Sequence, residues 1–403
     1  MQVSWWFHLG TTMVPDGSLP TDGAPPYLQQ ASGAHEAPHR RQPRRLGRVV
    51  DARVDVHLED TMLRSFLMLP AALLLACATP ETPEATDTDV AVASQTLDLP
   101  GDATFPEGIL EDGTGTLWIT GFGDGSLHRI LPDDTVETFK TPGEDGLRSA
   151  VGLVADAERG RLWVANFDFE TFSSNFKVFD LDDGELLATV AAPADLGPHF
   201  FNEVALADDG SVYVSDTLQP RIWTAGPALD VVPSVLAEDP LLANPAEDRP
   251  FGLNGLALSP DGDHLVASVM DRLTQGGGRL VRIDRDSGAV ADIALSGDLD
   301  VFGGSDGMFF EPDGRLVMVN VTPPAGLVTA ELSADLSSAT LTARSFADPV
   351  LDRPTSSALR DGTLWVVNSQ LDHIIDDANG ALDTPPQLPF QVVGVDFATL
   401  VGE

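Results

Sequence analysis

Glu107, Asn202, Asn254 and Asp306 stand at one fixed place in a phrase that the chain repeats six times, about fifty residues apart. The phrase is a run of small apolar residues, a turn ending in glycine, then a strand. Its copies are PEGILEDGTGTLWIT (106–120), VGLVADAERGRLWVAN (151–166), FNEVALADDGSVYVSD (201–216), LNGLALSPDGDHLVAS (253–268), SDGMFFEPDGRLVMVN (305–320) and PTSSALRDGTLWVVNS (354–369). Counting eight residues back from Gly115, Gly160, Gly210, Gly262, Gly314 and Gly362 gives Glu107, Gly152, Asn202, Asn254, Asp306 and Pro354. Four of these six carry an oxygen donor. Two carboxylates and two carboxamides form a hard, all-oxygen set of formal charge −2, which suits calcium. Zinc would draw on His or Cys, and the column holds neither. The other use of such a column is a water-filled channel whose polar side chains bond to one another, because leaving them buried and unpaired is costly.

For these residues to meet, the repeats must be arranged around one axis. Strand-length blocks such as Leu117-Trp118-Ile119, Val212-Tyr213-Val214 and Leu364-Trp365-Val366-Val367 are aromatic and β-branched and are bounded by turn glycines, so they predict hairpins. No long 3.6-residue period occurs after residue 77, so helices should be scarce. Three to four strands per repeat predict an all-β, six-bladed β-propeller over 95–403. In that architecture the first strand of each repeat lines a central channel. Two packed β-sandwiches would not explain the constant offset of the column. SQTLDLPG (94–101) and PFQVVGVDF (389–397) are strand-like and should complete one composite blade.

PEGI (106–109), FNEV (201–204), LNGL (253–256) and SDGM (305–308) resemble the blade motifs of the senescence marker protein/gluconolactonase family, whose relatives include regucalcin and diisopropylfluorophosphatase. The resemblance covers residues 100–399. It implies a divalent cation, usually calcium, held by Glu107, Asn202, Asn254 and Asp306. It also implies hydrolysis of lactones or related esters, with phosphotriester cleavage as a side activity. Asp306 resembles the residue that serves as general base or nucleophile. Magnesium, manganese or zinc could replace calcium. His199 and His373 are candidates for orienting substrate or relaying protons. A surface or loop histidine is the plainer account of each. Gly303-Gly304-Ser305-Asp306-Gly307 matches G-x-S-x-G in letters, but it opens a predicted strand and no strand-to-helix elbow follows it, so a serine nucleophile gains no support. The alternative function is a non-catalytic propeller serving as a binding or scaffold module, since fold alone does not fix activity.

The chain has 403 residues and a net charge of −39, with lysine only at 140 and 177. Such acidity excludes nucleic acid as a partner and leaves a small molecule as the expected one. Residues 62–77, MLRSFLMLPAALLLAC, have the layout of a secretory signal with an apolar run too short to span a bilayer. Leu74-Leu75-Ala76-Cys77 resembles a bacterial lipobox. Cys77, the one cysteine, would then carry a lipid that tethers an exported protein to the cell envelope. Residues 78–94 are rich in Thr, Pro and acid and read as a flexible linker. With Met62 as the start, residues 1–61 are a spurious or disordered extension. Oligomeric state is not legible.

Overall fold

The computed structural model describes residues 94–244, 252–270, 277–320, 326–346, 351–375 and 384–402. The expectations for residues 1–61, for the signal segment with Cys77 and for the linker up to residue 93 lie outside them.

The described residues are all-β apart from 3-10 turns and one five-residue helix, α1 (Phe397–Val401). The described residues start with β1 (Ser94–Asp98) and continue in quartets of antiparallel strands. The first sheet is β2 (Pro106–Glu111), β3 (Leu117–Gly121), β4 (Leu127–Ile130) and β5 (Val136–Lys140). The second is β6 (Ser149–Asp156), β7 (Arg161–Asp168), β8 (Ser173–Asp180) and β9 (Leu186–Ala191). The third is β10 (Phe201–Leu206), β11 (Val212–Asp216), β12 (Arg221–Ala225) and β13 (Ser234–Glu238).

Two further quartets follow. One is β14 (Leu253–Leu258), β15 (His264–Val269), β16 (Arg279–Asp284) and β17 (Val290–Gly297). The other is β18 (Ser305–Phe310), β19 (Leu316–Asn320), β20 (Gly326–Leu332) and β21 (Ser338–Ser345). Their outer strands pair in parallel, Ala294–Gly297 with Ser338–Leu341, so the two form one eight-stranded sheet. The last sheet has the order β1-β24-β23-β22, from β22 (Ser357–Arg360), β23 (Thr363–Val367) and β24 (Gln391–Asp396). Its composite nature follows the expectation: the N-terminal strand pairs with the C-terminal one, Ser94 opposite Val395 through Asp98 opposite Gln391.

All six turn glycines of the repeat adopt φ between 63° and 92°, the left-handed region that a side chain disfavours. They reverse the chain between the first and second strands of each quartet. The first strands then close a circle. β2 packs on β6, β6 on β10, β10 on β14, β14 on β18, β18 on β22, and β22 on β2. The apolar core is divided accordingly into six slabs, each between neighbouring sheets. Trp118 and Phe179 share the slab between the first and second sheets, and Trp163 and Trp223 the next. Ile119 and Trp365 share the slab that joins the last sheet to the first. Burial of each such side chain stabilises by about 1.5–3 kcal/mol, so the circle is held by side-to-side packing of sheets.

Candidate metal centre

Five of the six first strands carry the same irregularity. Their pairing with the second strand slips between Pro106 and Ile109, Ala150 and Leu153, Phe201 and Val204, Leu253 and Leu256, and Ser305 and Met308. Such a bulge leaves a residue outside the ladder and re-aims side chains. Glu107, Asn202, Asn254 and Asp306 are each the first bulge residue. All four are buried, at 6%, 6%, 5% and 8% exposure.

The register also corrects two positions read by counting. In the second strand set the residue level with Glu107 is Val151 rather than Gly152, because Leu153 pairs with Val164 as Ile109 pairs with Ile119. In the last set Ser357 pairs with Val366, which puts Thr355 at that level rather than Pro354. The turns of those two repeats differ in length, and the count from glycine slips by one. Thr355 closes the circle at this level: its Oγ1 donates to Glu107 O at 2.7 Å, and its carbonyl accepts from Gly307 N at 2.8 Å.

Hydroxyls on the second strands fix the bulges. Thr120 Oγ1 accepts from Gly108 N (2.8 Å) and donates to Val151 O (2.6 Å). Ser215 Oγ accepts from Glu203 N (3.0 Å) and donates to Asn254 O (2.5 Å). Each hydroxyl therefore ties the bulge of its own sheet to the bulge of the next.

The amides are held by their nitrogens. Asn202 Nδ2 donates to Thr217 Oγ1 at 3.0 Å, and Asn254 Nδ2 lies 3.9 Å from Met270 Sδ. Asn202 Oδ1 and Asn254 Oδ1 are buried with no hydrogen-bond partner. Each such orphan costs about 1–3 kcal/mol, and native structures rarely leave one unexplained.

Beside them are carboxylates that repel one another. Burial, then the charges of Asp306 and Glu203, hold Glu107 well above the usual carboxylate range. Burial pushes Asp306 up to about 7, with a hydrogen bond from Asn254 and the Arg353 charge pulling the other way. Burial and the Asp306 charge push Glu203 up to about 8.

Glu203 is the residue that the sequence reading missed. It follows Asn202 in the bulge, at the level where Gly108, Gly152, Gly255 and Gly307 stand in other strands. It lines a central cavity of about 540 Å³ to which all six first strands contribute, among them Ile109, Leu153, Leu256, Met308 and Ser357. A strand alternates its faces, so consecutive residues should not both serve one centre. The bulge removes that restriction. The available signal was the broken glycine pattern.

The two histidines lie elsewhere. His199 is 1% exposed, beside Phe201 and Trp223, and its Nδ1 accepts from Ser174 N at 2.8 Å. Burial lowers its pKa. His373 Nδ1 bonds Thr384 O at 2.6 Å, and its Nε2 is 3.5 Å from Asp352 Oδ2. With Asp372 these form a second group of metal-ligand type outside the column. Neither histidine lines the central cavity.

The centre therefore offers two amide oxygens without partners and three carboxylates in mutual repulsion, Glu107 and Asp306 buried and Glu203 half-buried. A hard divalent cation satisfies both, so the donor set fits the calcium that the resemblance implies.

The architecture is a β-propeller with an oxygen-lined axis. No family model matches the sequence, and no curated protein matches it. Solved structures do. The major allergen Mala s 1 of Malassezia sympodialis superposes with a TM-score of 0.57 at 17% identity, over 75% of this chain and 96% of that one. A luciferin-regenerating enzyme gives 0.53 at 15% identity, over 75% and 95%. A protein assigned as a gluconolactonase gives 0.50 at 14%, over 75% and 92%. At these identities the likeness establishes the fold.

Proposed function

We propose that this protein is a divalent-cation-dependent hydrolase of lactones or related esters, working at the axis of a six-bladed propeller. The blade count treats the eight-stranded sheet as two blades whose outer strands adhere; six quartets and six intervening slabs support it. The observation that carries the function is the pair of orphaned oxygens, Asn202 Oδ1 and Asn254 Oδ1, on strands level with buried Glu107 and Asp306.

Glu107, Asn202, Asn254 and Asp306 would hold the cation, with calcium the best match to an all-oxygen set. When bound, it supplies Lewis-acid polarisation of a carbonyl or phosphoryl oxygen. Asp306 is assigned the proton of the attacking water, or the attack itself. Glu203 provides a further carboxylate on the side of the central cavity. Phosphotriester cleavage is a side activity of the same arrangement.

Thermal melting in calcium and then in chelator tests the cation, because a ligand of the native state raises the melting temperature. A lactone and aryl-ester panel with wild type and Asp306→Asn tests the chemistry. A calcium-dependent rise together with loss of turnover in the variant is expected. No rise and no turnover would leave a non-catalytic binding module. We further propose that the chain is exported and lipid-anchored at Cys77; Cys77→Ser should move it from the membrane to the soluble fraction.

A further inference from the structure

A second cavity, about 290 Å³, opens on the face where the first strands begin. Phe122, Leu147, Phe169, Ile374 and Ile375 form its apolar wall, and they come from turns of the first, second and last sheets. The Phe122 and Phe169 rings meet edge to face at 5.7 Å. Among the described residues of the lining, Asp124, Asp168 and Glu170 face a single cation, Arg148.

The cavity adjoins the centre by a short path. Phe122 N donates to Phe105 O at 3.0 Å. Phe105 precedes Glu107 by two residues, a span of at most about 7 Å. Ser149, also on the lining, precedes Val151 by two residues, and Val151 stands level with Glu107. A molecule seated in the cavity would extend past Phe105 and Ser149 to reach the centre.

Size and chemistry limit what fits. A cavity of about 150 Å³ accommodates benzene, so this one has room for a ring with a short substituent. A polyhydroxylated group would leave hydroxyls unpaired against five hydrocarbon side chains, an unfavourable exchange. Three carboxylates against one guanidinium repel an anionic group.

We propose that this cavity is a substrate subsite that receives an uncharged apolar ring or short alkyl chain, carried by the lactone or ester whose carbonyl lies at the centre. The proposal rests on the hydrolase reading and deepens it: the substrates are apolar-substituted lactones rather than sugar lactones.

The test compares phenyl-substituted with unsubstituted δ-valerolactone, using the calcium-loaded full chain, Ile374→Trp to fill the cavity and Phe169→Ala to remove part of its wall. Melting curves check folding. Wild type should favour the phenyl lactone in kcat/KM by about tenfold or more. Ile374→Trp should erase that preference, and Phe169→Ala should reduce it about fivefold. A preference unchanged in either folded variant overturns the subsite. If wild type hydrolyses neither lactone, the hydrolase reading fails, and calorimetry with the phenyl-substituted δ-lactam decides the cavity separately. Binding that Ile374→Trp removes supports an apolar-ring site; no binding by wild type overturns it.

Discussion

Gly255 and Asp306 meet backbone to backbone across neighbouring first strands: a Cβ on the glycine would overlap the carbonyl oxygen of Asp306. The same relation holds between Gly152 and Asn202. These glycines set how closely the strands approach, and so where the next oxygen donor stands. Gly255→Ala should destabilise by about 1–3 kcal/mol, the range for overpacking, and should weaken calcium binding. A Cβ on Gly226 would meet nothing within 4 Å, so Gly226→Ala serves as the control, within about 0.5 kcal/mol of wild type. Urea denaturation midpoints and calcium titration check both.

Acidity should change the effect of calcium in a defined direction. The folded pKa values of Glu203, about 8, and Asp306, about 7, exceed ordinary carboxylate values, and Glu107 is raised as well. Between the unfolded and folded values the native state binds more protons, so the contribution of these groups to stability falls as pH rises. Calcium held at the proposed site would replace those protons. The melting-temperature gap between calcium and chelator should widen from about pH 5 to about pH 8, and binding near neutral pH should release protons. Calorimetry in two buffers of different ionisation enthalpy measures that release.

Glu203→Gln separates charge repulsion from cation binding. It removes one of three neighbouring like charges, so the metal-free protein should melt higher at about pH 8. Calcium should bind about 10–100-fold more weakly, as when a supporting group around a metal is lost. Stability and affinity thus move in opposite directions. A parallel loss of both would mean that Glu203 serves packing alone.

Asn202→Leu tests the orphaned oxygen. Leucine removes the orphaned oxygen but also the bond from Asn202 Nδ2 to Thr217 Oγ1, so the metal-free fold should change by no more than about 1 kcal/mol. The rise in melting temperature on adding calcium should shrink by roughly half or more. Scanning calorimetry with and without chelator reads both quantities.

Much of this arrangement was legible in the sequence because it repeats. Alternating apolar blocks and turn glycines announced hairpins, and a constant offset announced Glu107, Asn202, Asn254 and Asp306. The composite sheet of β1 and β24 was legible from two strand-like ends. The count failed at Val151 and Thr355, because turn length enters it and turns are free to vary. Glu203 was hidden by a bulge, which cancels the alternation that sequence reading relies on. The parallel join of β17 to β21 was hidden as well, since neither strand carries a signal for a partner from a neighbouring quartet. His199 illustrates the opposite error: three residues from a donor in sequence, it is spent on a backbone hydrogen bond and aromatic packing.

The pairing of β1 with β24 has a consequence for how the molecule is made. Among the described strands, the first waits for the last, about three hundred residues later in the sequence. Until then the assembly is an open arc with bare margins at both ends. Contacts so distant along the chain form slowly. Completion is therefore a late event, and it leaves neither end of the arc bare once the two have met.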